Sequence, residues 1–301
     1  MRNRLSTIYF ILFILFCFSQ TSFARRNDFD FDLSPLIEKN KMFSAGMGGI
    51  FSEYNAWFRS GKLYTLDPYN ENISRRDLYF TFMPYFKIRP IKYLELGIST
   101  GFTYQRQDYR NDITSATNMT DSFGFDSINA TMKATLLDWY LSIGLKVGLS
   151  YSFMKNTHTY SDTKDPFNLY TTIMIAGVPK VIPVNILFAY TLDTRDSLKE
   201  YFLSVGEISG AIEIITSPFI TLYTGVNYIF PYTKKASLSY TDIFVKFKAT
   251  ISDFLYMTAS YKKTVYGTAN APNTAEFNFS IEYMFFSPKW DWWHVIKPKE
   301  E

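Results

Sequence analysis

The sequence predicts an all-β fold, an antiparallel transmembrane β-barrel of about 12 strands in up-and-down order. Three observations predict it: bulky apolar residues alternate with small or charged ones after residue 24, no long apolar run interrupts them, and polar breaks are alternately short and longer. In segment 141–153 one face carries only Leu, Ile, Val, Tyr and Phe, and the other only Ser, Gly and Lys. A period of two is typical of a strand with one apolar face, and this contrast suits a wall between lipid and water.

The N-terminus predicts secretion. Residues 8–18 form an apolar stretch behind a basic start, too short to cross a membrane as a helix, and Ser22-Phe23-Ala24 offers small residues for cleavage. We therefore interpret residues 1–24 as a removed signal peptide, with an uncleaved anchor as the alternative. Cys17 is the single cysteine, so the mature chain would have no disulfide and no thiol site.

The alternation predicts one barrel domain over residues 41–286, because no linker interrupts it. Residues 25–40 are polar and charged, and are predicted to be a periplasmic N-terminal segment, either a lead-in or a short plug. Residues 287–301 are predicted to be a periplasmic tail. Its tryptophans at 290, 292 and 293 suit an interfacial anchor, and a disordered tail is the alternative.

Five short turns and six longer loops divide this domain into twelve strands, with both termini on the short-turn, periplasmic side. Such an even count is the bacterial barrel pattern. The longer breaks include 59–76 and 107–123. The predicted strands lie near 42–58, 77–88, 93–106, 124–136, 141–154, 168–178, 184–192, 200–215, 219–230, 237–251, 254–264 and 275–286.

Two strands are harder to phase than the others. In the first, the alternation slips near Gly48-Gly49, which predicts a β-bulge there. In 200–215, three apolar residues share a face with Glu207 and Glu213. The remaining strands give a clear outer apolar face and an inner polar face.

The predicted inner face carries charges of both signs in equal number. Glycine, serine and threonine between them predict open space in the lumen, and hence a narrow, weakly selective channel for small hydrophilic solutes. The alternatives are a closed structural barrel whose charges pair and fill the lumen, and a surface-binding, adhesin-like barrel. The predicted lumen-lining residues are Lys87, Glu95, Lys133, Lys146, Glu207, Glu213, Asp242, Lys246, Lys248, Lys262, Glu276 and Glu282.

A soluble periplasmic β-sandwich is a rival for the fold, since it would also alternate. The predicted signal peptide and the outward aromatic residues near strand ends favour the barrel.

Catalytic, metal and cofactor sites are not expected. A barrel hydrolase would need a histidine base, and the two histidines, His158 in a loop and His294 in the tail, have no serine beside them on a strand wall. No His, Cys or carboxylate spacing suggests a transition metal. The net charge of +3 without a basic cluster gives no reason to expect a nucleic-acid partner.

The last strand, 276–286, resembles the C-terminal strand of Gram-negative outer-membrane β-barrels. That family ends on an alternating aromatic strand, usually with a final Phe, which the barrel-assembly machinery reads. The resemblance implies a cell outer membrane location, with outer-membrane lipid and the assembly machinery as partners. A tail of 15 residues after the strand departs from the pattern. The residues that carry the resemblance are Phe277, Phe279, Ile281, Tyr283, Phe285 and Phe286.

Overall fold

The structure is a computed structural model in which a defined part of the chain is described. The predicted signal peptide 1–24, nearly all of 25–40, Phe286 and the tail 287–301 lie outside that part. The described residues are Ser34, Ile37, 42–59, 61–64, 66–67, 70–111, 114, 117–139, 141–153, 167–177, 184–194, 204–217, 219–231, 239–252, 254–268 and 271–285.

The described residues form fourteen β-strands in one antiparallel sheet. Their bounds are β1 Phe43–Arg59, β2 Lys62–Tyr64, β3 Leu66–Asp67, β4 Asn70–Ile91, β5 Leu94–Asn111, β6 Thr117–Asp138, β7 Leu141–Ser152, β8 Phe167–Gly177, β9 Val184–Thr194, β10 Ser204–Ser217, β11 Ile220–Pro231, β12 Tyr240–Ser252, β13 Leu255–Gly267 and β14 Ala271–Phe285. Within this part of the chain, no helix is long and apolar enough to cross a membrane.

The sheet closes on itself. Each strand from β4 to β14 pairs with its sequence neighbours, and β1 pairs with both β14 and β4. The wall therefore has twelve strands, β1 and β4–β14. The short strands β2 and β3 pair only with β1 and β4, respectively. The predicted fold class, a meandering antiparallel barrel of twelve strands, is confirmed, and the soluble sandwich is wrong.

Three strands, β4, β5 and β6, extend farthest beyond the bounds that the sequence predicts. The segments predicted as loops 59–76 and 107–123 largely continue as ladders, in which Arg75 pairs with Tyr109 and Asp108 with Met119. As a result β4, β5 and β6 have 22, 18 and 22 residues, whereas β7–β13 have 11–14. The apolar alternation stops where these strands leave the apolar band. The backbone hydrogen bonds between them continue, so β4, β5 and β6 extend farther at the long-loop end than the other strands do.

The predicted bulge at Gly48-Gly49 is wrong. From Phe43 to Tyr54 the register is continuous with both neighbours, and the irregularity lies between Tyr54 and Trp57. The apparent slip has two causes. Glycines carry no side chain to show a phase, and Ile50 is an apolar residue on the inner face, with only 6% of its surface exposed.

The outer face is apolar and ends in aromatic residues. On β12, Ile243, Val245 and Phe247 are 40–47% exposed, whereas Asp242 and Lys246, on the opposite face of the same strand, are 3% and 9% exposed. We call the end with the connections 91–94, 138–141, 217–220 and 252–255 the short-turn end, and the opposite end the long-loop end. Exposed aromatic side chains lie toward both ends: Tyr93, Trp139, Phe219 and Phe254 at the first, and Phe80, Tyr104, Phe123, Tyr228 and Tyr266 toward the second. This is the girdle pattern of a membrane barrel.

Candidate functional site in the barrel lumen

The inner face is built by alternate residues, since successive strand side chains point to opposite sides. The register of each strand sets the twelve predicted lumen residues opposite in phase to the exposed apolar residues, and each of the twelve is buried or half-buried. The ambiguous strand is resolved as well. Glu207 lies on the inner face at 8% exposure, and Ile208 and Ile212 on the outer face at 37% and 45%.

A four-residue ion-pair cluster lies near the short-turn end. Lys87 Nζ is 3.3 Å from Glu282 Oε2, and Arg89 Nη2 is 2.6 Å from Glu95 Oε2 and 3.8 Å from Glu282 Oε1. Tyr85 also donates its hydroxyl to Glu282 over 3.1 Å. Sequence reasoning missed Arg89 because it precedes Pro90 and was assigned to a turn. Its parity with Lys87 is the signal that could have found it.

The other inner carboxylates are also hydrogen-bonded. Lys262 Nζ is 3.2 Å from Glu276 Oε1 on the neighbouring strand. Asp242 accepts a hydrogen bond of 2.7 Å from Thr264 Oγ1. Glu213 accepts 2.6 Å hydrogen bonds from both Tyr223 and Asn185. Bonded carboxylates of this kind are held in place against the wall.

Four inner lysines lie over aromatic rings, and the first of them, Lys87, is 5.1 Å from the Tyr85 ring. Lys146 is 5.9 Å from the Tyr170 ring, Lys246 is 5.6 Å from the Tyr223 ring and Lys248 is 5.1 Å from the Tyr256 ring. Such cation–π contacts stabilise a charge that is partly withdrawn from water. Lys133 lies directly opposite Lys146 on one side and Glu95 on the other.

At three inner glycines an aromatic ring fills the open space that the sequence predicts. The ring of Tyr85 covers Gly46, that of Tyr170 covers Gly148, and that of Phe244 covers Gly225, each so closely that an added Cβ would collide with it. Because an aromatic side chain from the adjacent strand fills each gap, the expectation of space at these glycines is wrong.

One side of the lumen is apolar. A buried cluster, which we call the apolar patch, spans β8 to β12, and Tyr223 packs against it. The strands that form it carry apolar residues on both faces, so the alternation of apolar and polar residues did not predict it. Met174 in the patch is 0% exposed, whereas the Lys262 side chain across the lumen is 27% exposed. Water therefore reaches the charged side, on β13, β14, β1 and β4. The apolar patch consists of Met174, Ala176, Leu187, Ala189, Ala211 and Phe244.

The inner charges are divided along the barrel axis. The position of a described inner-face charge along the axis is its number of residues from the short-turn end of its wall strand, and Asp138 is not an inner-face charge because it is exposed at its turn. Within six residues of that end lie six cations, Lys87, Arg89, Lys133, Lys146, Lys246 and Lys248, against Glu95, Glu213 and Glu282. Farther along lie five carboxylates, Asp77, Asp126, Glu207, Asp242 and Glu276, against Arg75 and Lys262. The inner charges therefore balance over the whole lumen, but the half near the short-turn end is basic and the other half is acidic.

Removing the shared carboxylate of the ion-pair cluster should destabilise the barrel. We expect Glu282→Ala to lower the free energy of unfolding by about 1–3 kcal/mol, because Lys87 and Tyr85 then lose a charged acceptor. Urea titration in detergent micelles measures this. The matched control is Glu53→Ala, which breaks an exposed pair with Arg76 and should cost at most about 1 kcal/mol. Equal costs for the two variants would show that the cluster is as well hydrated as the outer surface.

Catalysis and metal binding gain no positive support. His158 and His294 lie outside the described residues. Within the part of the chain that is described, no three His, Cys, Asp or Glu side chains come together as metal ligands.

The fold is similar to that of an outer membrane channel from Pseudomonas putida F1. The two chains share 10% identity with a TM-score of 0.59, over 87% of this chain and 100% of that one. Weaker likenesses are to the translocator domain of the autotransporter NalP from Neisseria meningitidis (10% identity, TM-score 0.48, 82% and 90% covered) and to the NanC porin (6%, 0.48, 79% and 100%). No family model and no curated protein matches the chain. At 10% identity the first of these likenesses shows the β-barrel fold alone.

Proposed function

We propose that the protein is an outer-membrane β-barrel that forms a narrow, weakly selective channel for small hydrophilic solutes. The observation that carries the proposal is a closed wall of twelve strands whose inner face holds partly exposed ion pairs, Lys262 with Glu276 and Lys87 with Glu282. Eight strands enclose little more than side chains and sixteen leave an open pore, so twelve strands allow a narrow passage. The apolar patch narrows it further and displaces it toward the charged side.

The outer surface supports an outer-membrane location. Lipid would cover the apolar band, with an aromatic girdle at each interface. On β14 the outward residues Phe277, Phe279, Ile281, Tyr283 and Phe285 are 38–46% exposed. An aromatic outward face on the last strand suits recognition by the barrel-assembly machinery. We propose that machinery and outer-membrane lipid as partners.

We expect purified protein to conduct ions in a planar lipid bilayer, with a current that differs between the two voltage polarities. Rings of charge on a pore wall set which ions enter. In this lumen the basic half would attract anions and the acidic half would attract cations, so the two directions of current are not equivalent. Single-channel recording at ±100 mV in symmetric salt measures the conductance and the difference in current between the two polarities. A conducting channel with a symmetric current would show that the two halves do not both line the path.

A non-conducting protein would instead favour a closed structural barrel. The specific observation on that side is the filling of the wall by Tyr85, Tyr170 and Phe244 together with the buried apolar patch. The extension of β4–β6 at the long-loop end favours a surface-binding role in that case.

A further inference from the structure

A cleft lies on the extension of β4, β5 and β6, and most of the residues that line it are on the outer face. Its volume is about 460 Å³, within the range of small-molecule sites. Four arginines and one carboxylate line it, along with hydroxyl and amide groups suited to sugar hydroxyls. The lining residues are Asn55, Ser74, Arg75, Arg76, Arg106, Asp108, Tyr109, Arg110, Thr117, Asn118 and Met119.

Three of these arginines belong to the outer surface. Arg76, Arg106 and Arg110 have the same parity as the exposed Phe80 and Tyr104 along an unbroken register between β4 and β5. Their guanidinium groups therefore project from the outside of the barrel. Arg75, by contrast, shares the inward phase with its buried partner Asp77.

The arginines are paired in a way that leaves them able to bind an anion. Arg76 lies 2.8 Å from Glu53 and Arg106 lies 3.1 Å from Asp108, and the two arginine side chains are 53% and 41% exposed. Exposed pairs of this kind contribute at most about 1 kcal/mol, so a phosphate can displace the carboxylate at little cost. Arginine also matches phosphate with two parallel donors.

The cleft begins where the apolar band ends. Phe80, Tyr104 and Phe123 lie side by side as the last aromatic row, and the next row on the same face contains Arg106 beside Asp121. The row above contains Arg76 and Asp108. Aromatic belts mark the boundary between lipid tails and headgroups, so these arginines lie at headgroup height.

We propose that this cleft binds the phosphate of a glycolipid in the outer leaflet, with its acyl chains on the aromatic row below. The cations, the sugar-compatible groups and the apolar row occur in the order in which such a lipid presents its parts. The site rests on the outer-membrane location proposed above and is independent of whether the lumen conducts.

Native mass spectrometry of the full chain in detergent tests the site, with lipid A, which carries two phosphates, as the probe. We expect one retained lipid per wild-type protein, and roughly tenfold or greater loss of occupancy in the double variant Arg106→Gln/Arg110→Gln, since each residue gives charge-assisted hydrogen bonds. The matched control is Lys92→Gln/Lys263→Gln, which removes two cations from the short-turn end and from β13 and should bind as wild type. Heat-modified gel mobility verifies folding, and Arg110→Gln alone provides a milder variant if the double one misfolds.

Three results would overturn the proposal. Equal loss in the control pair would mean that general surface charge holds the lipid. Equal binding of dephosphorylated lipid A would mean that the acyl chains alone are recognised. Displacement of the lipid by millimolar inorganic phosphate would assign the cleft to a free anion. A protein that binds lipid A as expected but does not conduct would overturn the channel and leave this site intact.

Discussion

Leu145→Arg is expected to lower the free energy of unfolding by roughly 2–4 kcal/mol, because it places a cation on the lipid face near the middle of the band. Leu145 lies between Ala134 and Ile173 on the neighbouring strands, and Ile173 is 46% exposed. An arginine there must either enter the hydrocarbon or bend toward the interface.

The matched control is Ser99→Arg, at a similar height on the inner face of β5. Ser99 is half-buried between Tyr85 and Asn129, and its new charge would meet the aqueous side of the wall. Ser150 is a poorer control, because it is 2% exposed and faces the buried Asn168. Urea titration in lipid vesicles measures both variants. A larger cost for Ser99→Arg than for Leu145→Arg would mean that the inner and outer faces are reversed.

Replacing Lys146, Lys246 and Lys248 together with Glu is expected to shift the ion preference of the channel toward cations. The change removes three of the six cations in the basic half and adds three carboxylates, so both ends of the lumen become acidic. Charged rings on a pore wall set selectivity. The asymmetry of the current between voltage polarities should also diminish, since it depends on opposite halves.

The reversal potential in a salt gradient across a planar bilayer measures this effect. A control variant with Lys92, Arg110 and Lys263 changed to Glu carries the same charge on the outer surface and should keep the wild-type potential. Lys146 and Lys246 are only 7% and 9% exposed, so the largest share of the shift should come from the half-buried Lys248. An unmoved reversal potential in a conducting triple variant would place these lysines away from the ion path.

The sequence by itself determined the strand count, the phase of most strands and the side of the twelve charges that it assigned to the lumen, but not the side of Arg89, Asp77 or Asp126. All three follow from one local property. Alternate residues of a strand point to opposite sides, so in a lipid-facing wall apolar and polar residues alternate along the sequence. That is why Lys246 and Asp242 could be assigned to the inner face, and Ile243 and Val245 to the outer face, before any neighbouring strand was known.

The tertiary structure alone decided what lies across the strands. Whether Tyr170 fills the space over Gly148, whether Glu282 is shared by Lys87 and Arg89, and whether Met174 faces Ala189 all depend on register. A one-residue slip in register would change every such pair. The same holds for the long-loop extension, where β4, β5 and β6 pair without an apolar face to mark them. Local alternation set the two faces of the wall, and long-range register between strands decided how far the lumen is filled and where the outer arginines meet.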